Sequence, residues 1–363
     1  MVKKGINFIY KSFYLKNILQ KLKNWEAWPF NLIYAPLAPM WVWYMIKSKA
    51  VWFFTPSNPK LTFGGLEGEP KREMYDLLPL HLYPITINIL PKISFEEVIS
   101  AVIKSKITYP LIVKPEVGGQ GILFRKIDTE SELSHYHSKM KFEYIVQEMV
   151  HYPMEVSVFH IRYPNKTKGE ITGFLHKVPL QVLGDGKSTL LQLLLKHPKG
   201  ASRLQELKPK HEAKWNTVLA TGEKYVLSYA ANHNRGAHFK DLKNEIDETL
   251  LAVFDKLSIQ INDFFYGRYD ILCTSVADLK AGKNFSILEY NGCGAEPNHI
   301  YDTGYTLIGA YKEILKHWKK LYEISSLNAN NGTEPWPFIK GLKFRRWTTK
   351  LFKEMKKIDE EIG

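Results

Sequence analysis

The chain has 363 residues, 45% of them hydrophobic and 24% charged, with a formal net charge of +13. That length can bury a large core in two or three lobes, and that balance excludes long disorder. Two cysteines, Cys273 and Cys293, give no disulfide framework and no cleavable leader is legible, so a reducing cytoplasmic setting is expected.

Residues 1–50 carry eight lysines and one acid, and residues 340–363 carry eight Lys/Arg and four acids. The centre is therefore nearly neutral, which excludes a nucleic-acid groove through the core. In chain order, Phe8, Ile9, Phe13, Leu15, Ile18, Leu19 and Leu22 recur at helical spacing among lysines. An aromatic stretch, Trp25 to Trp52, follows; its apolar run from Phe30 to Ile46 is broken by Pro36 and Pro39 and is short for a membrane span. With the basic amphipathic stretch Phe338 to Ile358, these ends suit peripheral attachment to an anionic membrane, on the inner face of the cytoplasmic membrane. Equally, they suit packing on the body of the protein or pairing in a homodimer. The expected segments are an N-terminal region 1–67, a first lobe 68–150, a second lobe 151–325, and a linker with basic helix 326–363.

A helix-like stretch opens at Lys71 and runs toward Thr86. Leu111 to Lys114 reads as a strand, followed by Gly118, Gly119 and Gly121 and a returning strand, Ile122 to Ile127. A glycine hairpin can bring backbone N–H groups close to phosphates, with Lys114 as a point charge, or can be only a turn. Gly184 to Thr189 imitates a Walker loop, but Gln181 stands where the first glycine is required. Tyr144 to Val150 and Glu155 to Val158 read as strands, with Glu148 and Glu155 as candidate adenine-hinge and ribose contacts or simply acids near strand ends. Helices are expected near 190–197, 241–257 and 304–322, with a linker over 328–337. Between the first two helices, the polar cluster 232–238 offers Asn234, Arg235 and His238 as holders of an anion or as a solvated loop.

The most informative pattern is Arg268 and Asp270 on one strand (264–272), answered by Glu289 and Asn291 on another (285–291). Residues two apart share a strand face, so a hairpin brings one guanidinium and three oxygen ligands together. Asp, Glu and Asn oxygens suit magnesium, and a guanidinium suits a developing anion. The alternative is an exposed hairpin with a surface ion pair.

The order and spacing of these features, over residues 68 to 320, resemble the ATP-grasp superfamily, and within it the carboxylate–amine ligases such as D-alanine–D-alanine ligase and the ligase part of cyanophycin synthetase. The resemblance implies an α+β, ATP-grasp fold of two lobes gripping ATP. It implies phosphate contacts at Lys71, Lys114 and Lys177 and a mobile loop at Gly118, Gly119 and Gly121. It further implies an adenine hinge at Gln147, Glu148, Met149 and Val150 and a ribose contact at Glu155. Asp270, Glu289 and Asn291 match the magnesium ligands, and Arg268 matches the arginine that steadies a tetrahedral oxyanion. The implied cofactors are ATP and Mg2+, as two ions, with Mn2+ as a substitute. The implied substrates are a small-molecule carboxylate and an amine, the latter an amino acid or a lipid-linked group. Glu296 departs from the D-alanine–D-alanine ligase pattern, which puts D-alanine in question; it suits an ammonium group. Residues 1–67 are too short for the Rossmann-like domain that usually precedes these lobes. Two other readings stay open: an ATP-grasp kinase acting on a hydroxyl, and a nucleotide-binding membrane adaptor without turnover.

Overall fold

In this computed structural model, residues 24–229 and 231–362 are described. The lysine-rich amphipathic pattern over 8–22 lies outside them. Two antiparallel sheets, each with its own helices, give the expected α+β architecture.

The first sheet has the order β1-β4-β2-β3, from β1 (Thr86–Ile89), β2 (Leu111–Pro115), β3 (Arg125–Ile127) and β4 (Tyr144–Glu148). The second has the order β11-β10-β5-β6-β9. Its members are β5 (Met154–Ile161), β6 (Glu170–Val178), β9 (His238–Asp241), β10 (Tyr266–Cys273) and β11 (Phe285–Asn291). A separate two-stranded ribbon pairs β7 (Gln181–Leu183) with β8 (Lys224–Val226).

Helices precede the first sheet as α1 (Phe30–Tyr34), α2 (Ala38–Lys47) and α3 (Lys71–Tyr75). The first sheet carries α4 (Phe95–Lys104), begun by a reciprocal Ser94–Glu97 capping box, and α5 (Glu130–Lys139). After them come α6 (Leu190–Lys196), α7 (Pro198–Ala201), α8 (Leu204–His211), α9 (Glu248–Ile261), α10 (Val276–Lys280), α11 (Leu307–Asn330) and α12 (Phe338–Ile362).

Four expected boundaries move. The helix opening at Lys71 stops at Tyr75, because Pro79 and Pro84 cannot continue it and the chain enters β1. The strand after the glycine loop is only β3, since Ile122 to Phe124 remain in a turn with Leu123 at φ +58°. The helix expected from 241 starts seven residues later; 238–241 is edge strand β9, and Asp247 caps the helix by accepting from Leu250 N. The linker expected from 328 starts after α11 ends at Asn330.

Segment 24–67 and the C-terminal helix α12 both pack on the body. On α12, Leu351, Met355 and Ile358 complete the core of the first sheet with Leu111, Val113, Leu123 and Tyr144. Asp359 accepts from Leu123 N at 2.9 Å and pairs with Arg125 at 2.8 Å. Residues 24–67 wrap the second sheet and α11: Phe53, Phe54 and Phe63 join Phe159, Tyr266, Leu321 and Ile324 in one core. The run Phe30 to Ile46 splits into α1 and α2, burying Ile33, Leu37 and Tyr44 while Phe30, Leu32, Val42, Trp43 and Ile46 stay exposed. No helix among the described residues is long and apolar enough to cross a membrane.

Fully buried Asn58 fastens this N-terminal wrap. Its amide donates to Gly64 O (3.1 Å) and Tyr266 O (2.9 Å), while its carbonyl accepts from Phe265 N (2.9 Å) and Tyr266 N (3.2 Å). Gly64 and Gly65 then run at positive φ directly against 292–294, where Cys293 N and Gly294 N donate to their carbonyls. Asn58→Ala leaves buried backbone groups unpaired and is expected to cost about 2–4 kcal/mol, read as a lowered midpoint in urea unfolding with unchanged slope.

Candidate active site

The site grows from the β10–β11 hairpin. Its register sets Arg268 opposite Asn291 and Asp270 opposite Glu289. All four side chains share one face, as the two-residue period requires. The register then shifts, so that Ile271 meets Ile287 and Leu288 is left over as a bulge. Freed from the ladder, Leu288 O accepts from Tyr75 OH at 2.7 Å and lies 3.4 Å from Lys114 Nζ. The bulge thus turns a strand carbonyl toward α3 and β2 and closes the gap between the two sheets.

Arg268 grips Asp270 with two nitrogens, Nε to Oδ1 at 3.1 Å and NH2 to Oδ2 at 3.2 Å. Asn291 Nδ2 donates to Asp270 Oδ2 at 3.3 Å. From β6, buried Lys177 Nζ lies 2.5 Å from Glu155 Oε1 and 3.5 Å from Asp270 Oδ1. Burial pushes the Asp270 carboxyl up, but the Arg268 guanidinium and Lys177 ammonium outweigh it and hold the group below the usual carboxylate range. Burial pushes Glu155 up. The Glu289 carboxylate makes no hydrogen bond or ion pair within the described residues, yet its charge acts on both Lys71 and Lys114. It is a carboxylate aimed among lysines with its ligand positions free.

On the opposite wall, Lys71 Nζ donates to Gly118 O at 3.3 Å and Lys114 Nζ donates to Tyr75 OH at 3.3 Å. Burial lowers the pKa of both lysines. Gln147 Nε2 donates to Tyr75 OH (3.0 Å) and to Thr86 Oγ1 (2.7 Å), so its side chain is committed to structure. Glu148 is likewise tied to the chain before β1, its carboxylate accepting from Ile85 N and its own N–H donating to Ile85 O. Met149 and Val150 follow in half-buried coil. In the glycine loop, Gly121 takes φ +71°, as does Gln120 at +58°, and a Cβ on Gly119 would meet open space.

Lys71, Lys114, Glu155, Lys177, Arg268, Asp270, Glu289 and Asn291 therefore converge. Glu296 is one step outside: Arg268 NH1 donates to its backbone carbonyl at 3.3 Å, and its carboxylate accepts from Tyr34 OH (2.7 Å) and Tyr301 OH (3.0 Å). Asn234, Arg235 and His238 do not join the cluster. Arg235 bridges Gln120 O (3.0 Å) and Glu206 (3.1 Å), latching the glycine loop to α8. His238 lies 3.4 Å from Asp302, and Asn234 is exposed. His238 also lines an open groove of about 670 Å³ with Leu180, Leu193, Lys196 and His197, and no cluster residue reaches it.

Two residues here escape sequence reasoning. Tyr75, between Lys114, Gln147 and Leu288, carried no motif. Glu69 approaches Lys71 and Glu289, and its buried Oε2 has no partner.

No protein-family model and no curated protein matches the chain. Among solved structures, a D-alanine–D-alanine ligase from Bacillus anthracis matches over 72% of this chain and 69% of its own, at 12% identity and TM-score 0.40. A VanG D-Ala:D-Ser ligase from Enterococcus faecalis matches over 70% and 61%, at 14% identity and TM-score 0.39. A bifunctional glutathione synthetase from Pasteurella multocida matches over 68% of this chain, at 13% identity and TM-score 0.36. This chain spans only 35% of that synthetase. At these identities and scores, the chemistry rests on this chain's own residues.

Burial pushes the Glu69 carboxyl up to about 7 from an ordinary value of 4.5. The native state then holds a proton that the unfolded state has lost between those values, so stability falls as pH rises through this window. Glu69→Gln is expected to leave stability unchanged at pH 4 and to raise it by about 1–3 kcal/mol at pH 8, measured by thermal unfolding at both pH values.

Proposed function

We propose that the protein is an ATP- and Mg-dependent carboxylate–amine ligase that works through an acyl phosphate and releases ADP and phosphate. The observation that carries this reading is the cross-strand set Arg268, Asp270, Glu289 and Asn291, facing Lys71 and Lys114 across the cleft. The donor chemistry fits the groups it implies. Glu289 is an unpaired carboxylate, Asp270 is held ionised and Asn291 adds a neutral oxygen, which together suit a hard divalent cation. Lys71, Lys114 and Lys177 supply ammonium groups for phosphate oxygens. Mg2+ supplies charge neutralisation at the transferring phosphoryl group.

In the first step, a substrate carboxylate oxygen attacks the γ-phosphorus, the β–γ bridging P–O bond breaks, and ADP leaves. In the second, an amine nitrogen attacks the acyl carbon, the acyl C–O bond breaks, phosphate leaves, and the amine proton passes to solvent. Lys71 and Lys114 bind and orient the phosphates in the first step. Arg268, fixed by its two bonds to Asp270, presents its remaining N–H groups to the oxyanion of the second. Met149 and Val150 are the hinge positions whose backbone remains for an adenine edge, since Glu148 N–H is already bonded. The Glu296 carboxylate, held by two tyrosine hydroxyls beside Arg268, suits the ammonium of an amino-acid or lipid-linked substrate.

A second partner reading rests on exposed Phe30, Leu32, Val42, Trp43 and Ile46 on α1 and α2, next to Lys47 and Lys49. Apolar side chains beside cations suit the surface of an anionic membrane. Trp43→Ser with Ile46→Ser is expected to lower binding to phosphatidylserine vesicles several-fold at low salt without changing the melting temperature; undiminished binding removes the membrane from the proposal.

Glu289→Gln keeps the side-chain shape and removes the charge. ADP release with Mg-ATP, pooled carboxylates and pooled amines is expected to fall at least a hundredfold in this variant, with unchanged circular dichroism. Full turnover in the variant would overturn the metal assignment, and ADP release that never requires an amine would favour the kinase reading.

A further inference from the structure

Among the described residues, two groups of histidines and carboxylates stand apart from the nucleotide cleft. Glu26, His233 and Asp302 form one. Its cation is already present: Lys199 Nζ donates to both Asp302 oxygens, at 2.9 and 2.7 Å, and Phe239 N donates to one of them. In the other group, His299, Glu313 and His317, the nearest ammonium is Lys316 Nζ, 3.9 Å from Glu313 Oε1 and beyond hydrogen-bond distance.

Glu313 and His317 are one turn apart on α11, so their side chains share a face. His299 reaches them from the short 3-10 turn 298–300, in the loop that follows β11. Glu313 Oε1 lies 3.2 Å from His317 Nε2 and 3.4 Å from His299 Nε2. His317 is fully buried, and its Nε2 has no hydrogen-bond partner although the carboxylate is so close. The two nitrogens thus converge on one carboxylate oxygen, and the His317 nitrogen does so without the alignment of a hydrogen bond. Ligand atoms about 2.0–2.1 Å from a tetrahedral ion are separated by about 3.3–3.4 Å, close to the 3.2 and 3.4 Å between the carboxylate oxygen and the two nitrogens.

The surroundings agree. His317 is fully buried, so its ring is shielded from solvent. Its other nitrogen faces Tyr266 OH at 3.5 Å, an outer partner that orients the ring. Gly173 of β6 makes the room: a Cβ there would come within 2.2 Å of His299 Nδ1. Two imidazoles and a carboxylate suit zinc better than magnesium, which prefers oxygen ligands only.

We propose that His299, Glu313 and His317 bind a Zn2+ ion, with water in the fourth position, and that this ion pins the loop after β11 to α11. The ion is a structural clamp, since both histidines are buried and only Glu313 is partly exposed. The loop that it pins carries Glu296, whose carbonyl accepts from Arg268. The site is independent of the ATP chemistry and is read without turnover.

The test uses the full-length Glu289→Gln protein, stripped with a chelator and held in excess Mg2+ so that the nucleotide cleft contributes no signal. Titration with Co2+ is expected to saturate at one equivalent per chain, with visible absorption of a low-coordinate imidazole-bound ion, and Zn2+ is expected to displace it. Adding Glu313→Gln preserves shape and hydrogen bonding and is expected to weaken binding at least tenfold; adding His317→Gln is expected to abolish the visible bands. Zn2+ is expected to raise the melting temperature of the stripped protein by several degrees and to leave that of the Glu313→Gln form unmoved. Absence of stoichiometric uptake, or equal affinity in the well-folded Glu313→Gln form, overturns the proposal.

Discussion

A buried array of opposed charges governs this molecule. Arg268, Asp270, Lys177 and Glu155 lie on one sheet face, with Glu289 beside them and two desolvated lysines opposite. Removing such groups from water costs several kcal/mol for each ion unless partners replace the lost hydration. The replacement is built into strand register. Asp270 meets Glu289 across one ladder and Ser157 across the other, and Glu155 meets Lys177 on the next strand. A slip of one residue would turn every one of these charges into the hydrophobic layer under α9. The apolar face of the same strands, with Val156, Val158, Ile271 and Ile287 against Leu250, Phe254 and Leu257, opposes that slip. Core packing and charge placement are two faces of one constraint.

The cleft walls then depend on pieces distant in sequence. Segment 24–67 fits against the second sheet through Asn58 and braces the loop 292–294 backbone to backbone. In doing so it places Tyr34 on Glu296, at the margin of the charge array. The aromatic density that reads as an interface belt in sequence is spent largely on this packing: Trp41 and Trp52 contact Phe53, Phe54 and Phe63. Only one side of α1 and α2 keeps its apolar residues in solvent.

Legibility followed locality. The β10–β11 hairpin was readable because its alternation, turn and paired polar residues all lie within about thirty residues of one another. Its bulge was not, since Leu288 looks like any other strand residue until the register is known. The helix expected beyond Lys71 failed because apolar spacing suggested a period that Pro79 and Pro84 interrupt. Tyr75, Glu69 and Asn58 act through partners far along the chain, and no spacing rule can announce such partners. His299 is separated from Glu313 by a loop and the first six residues of α11, so the trio does not form a compact motif in sequence. Arg235 and His238 had the right chemistry for an anion, but the fold directs Arg235 to the glycine loop and His238 to Asp302.

The place of α12 in the first core has a consequence for how the protein comes into being. The first sheet is fully translated once β4 has emerged, but Leu351, Met355 and Ile358 are made more than half the chain length later. Until then, α4 and α5 cover Leu111, Val113, Leu123 and Tyr144 only in part. Contacts of such long sequence separation form slowly, and a sheet with part of its apolar face open is exposed to chaperones and to aggregation while it waits. During synthesis, therefore, the second sheet, whose core residues under α9 have all emerged by Tyr290, is the half that can close its core first.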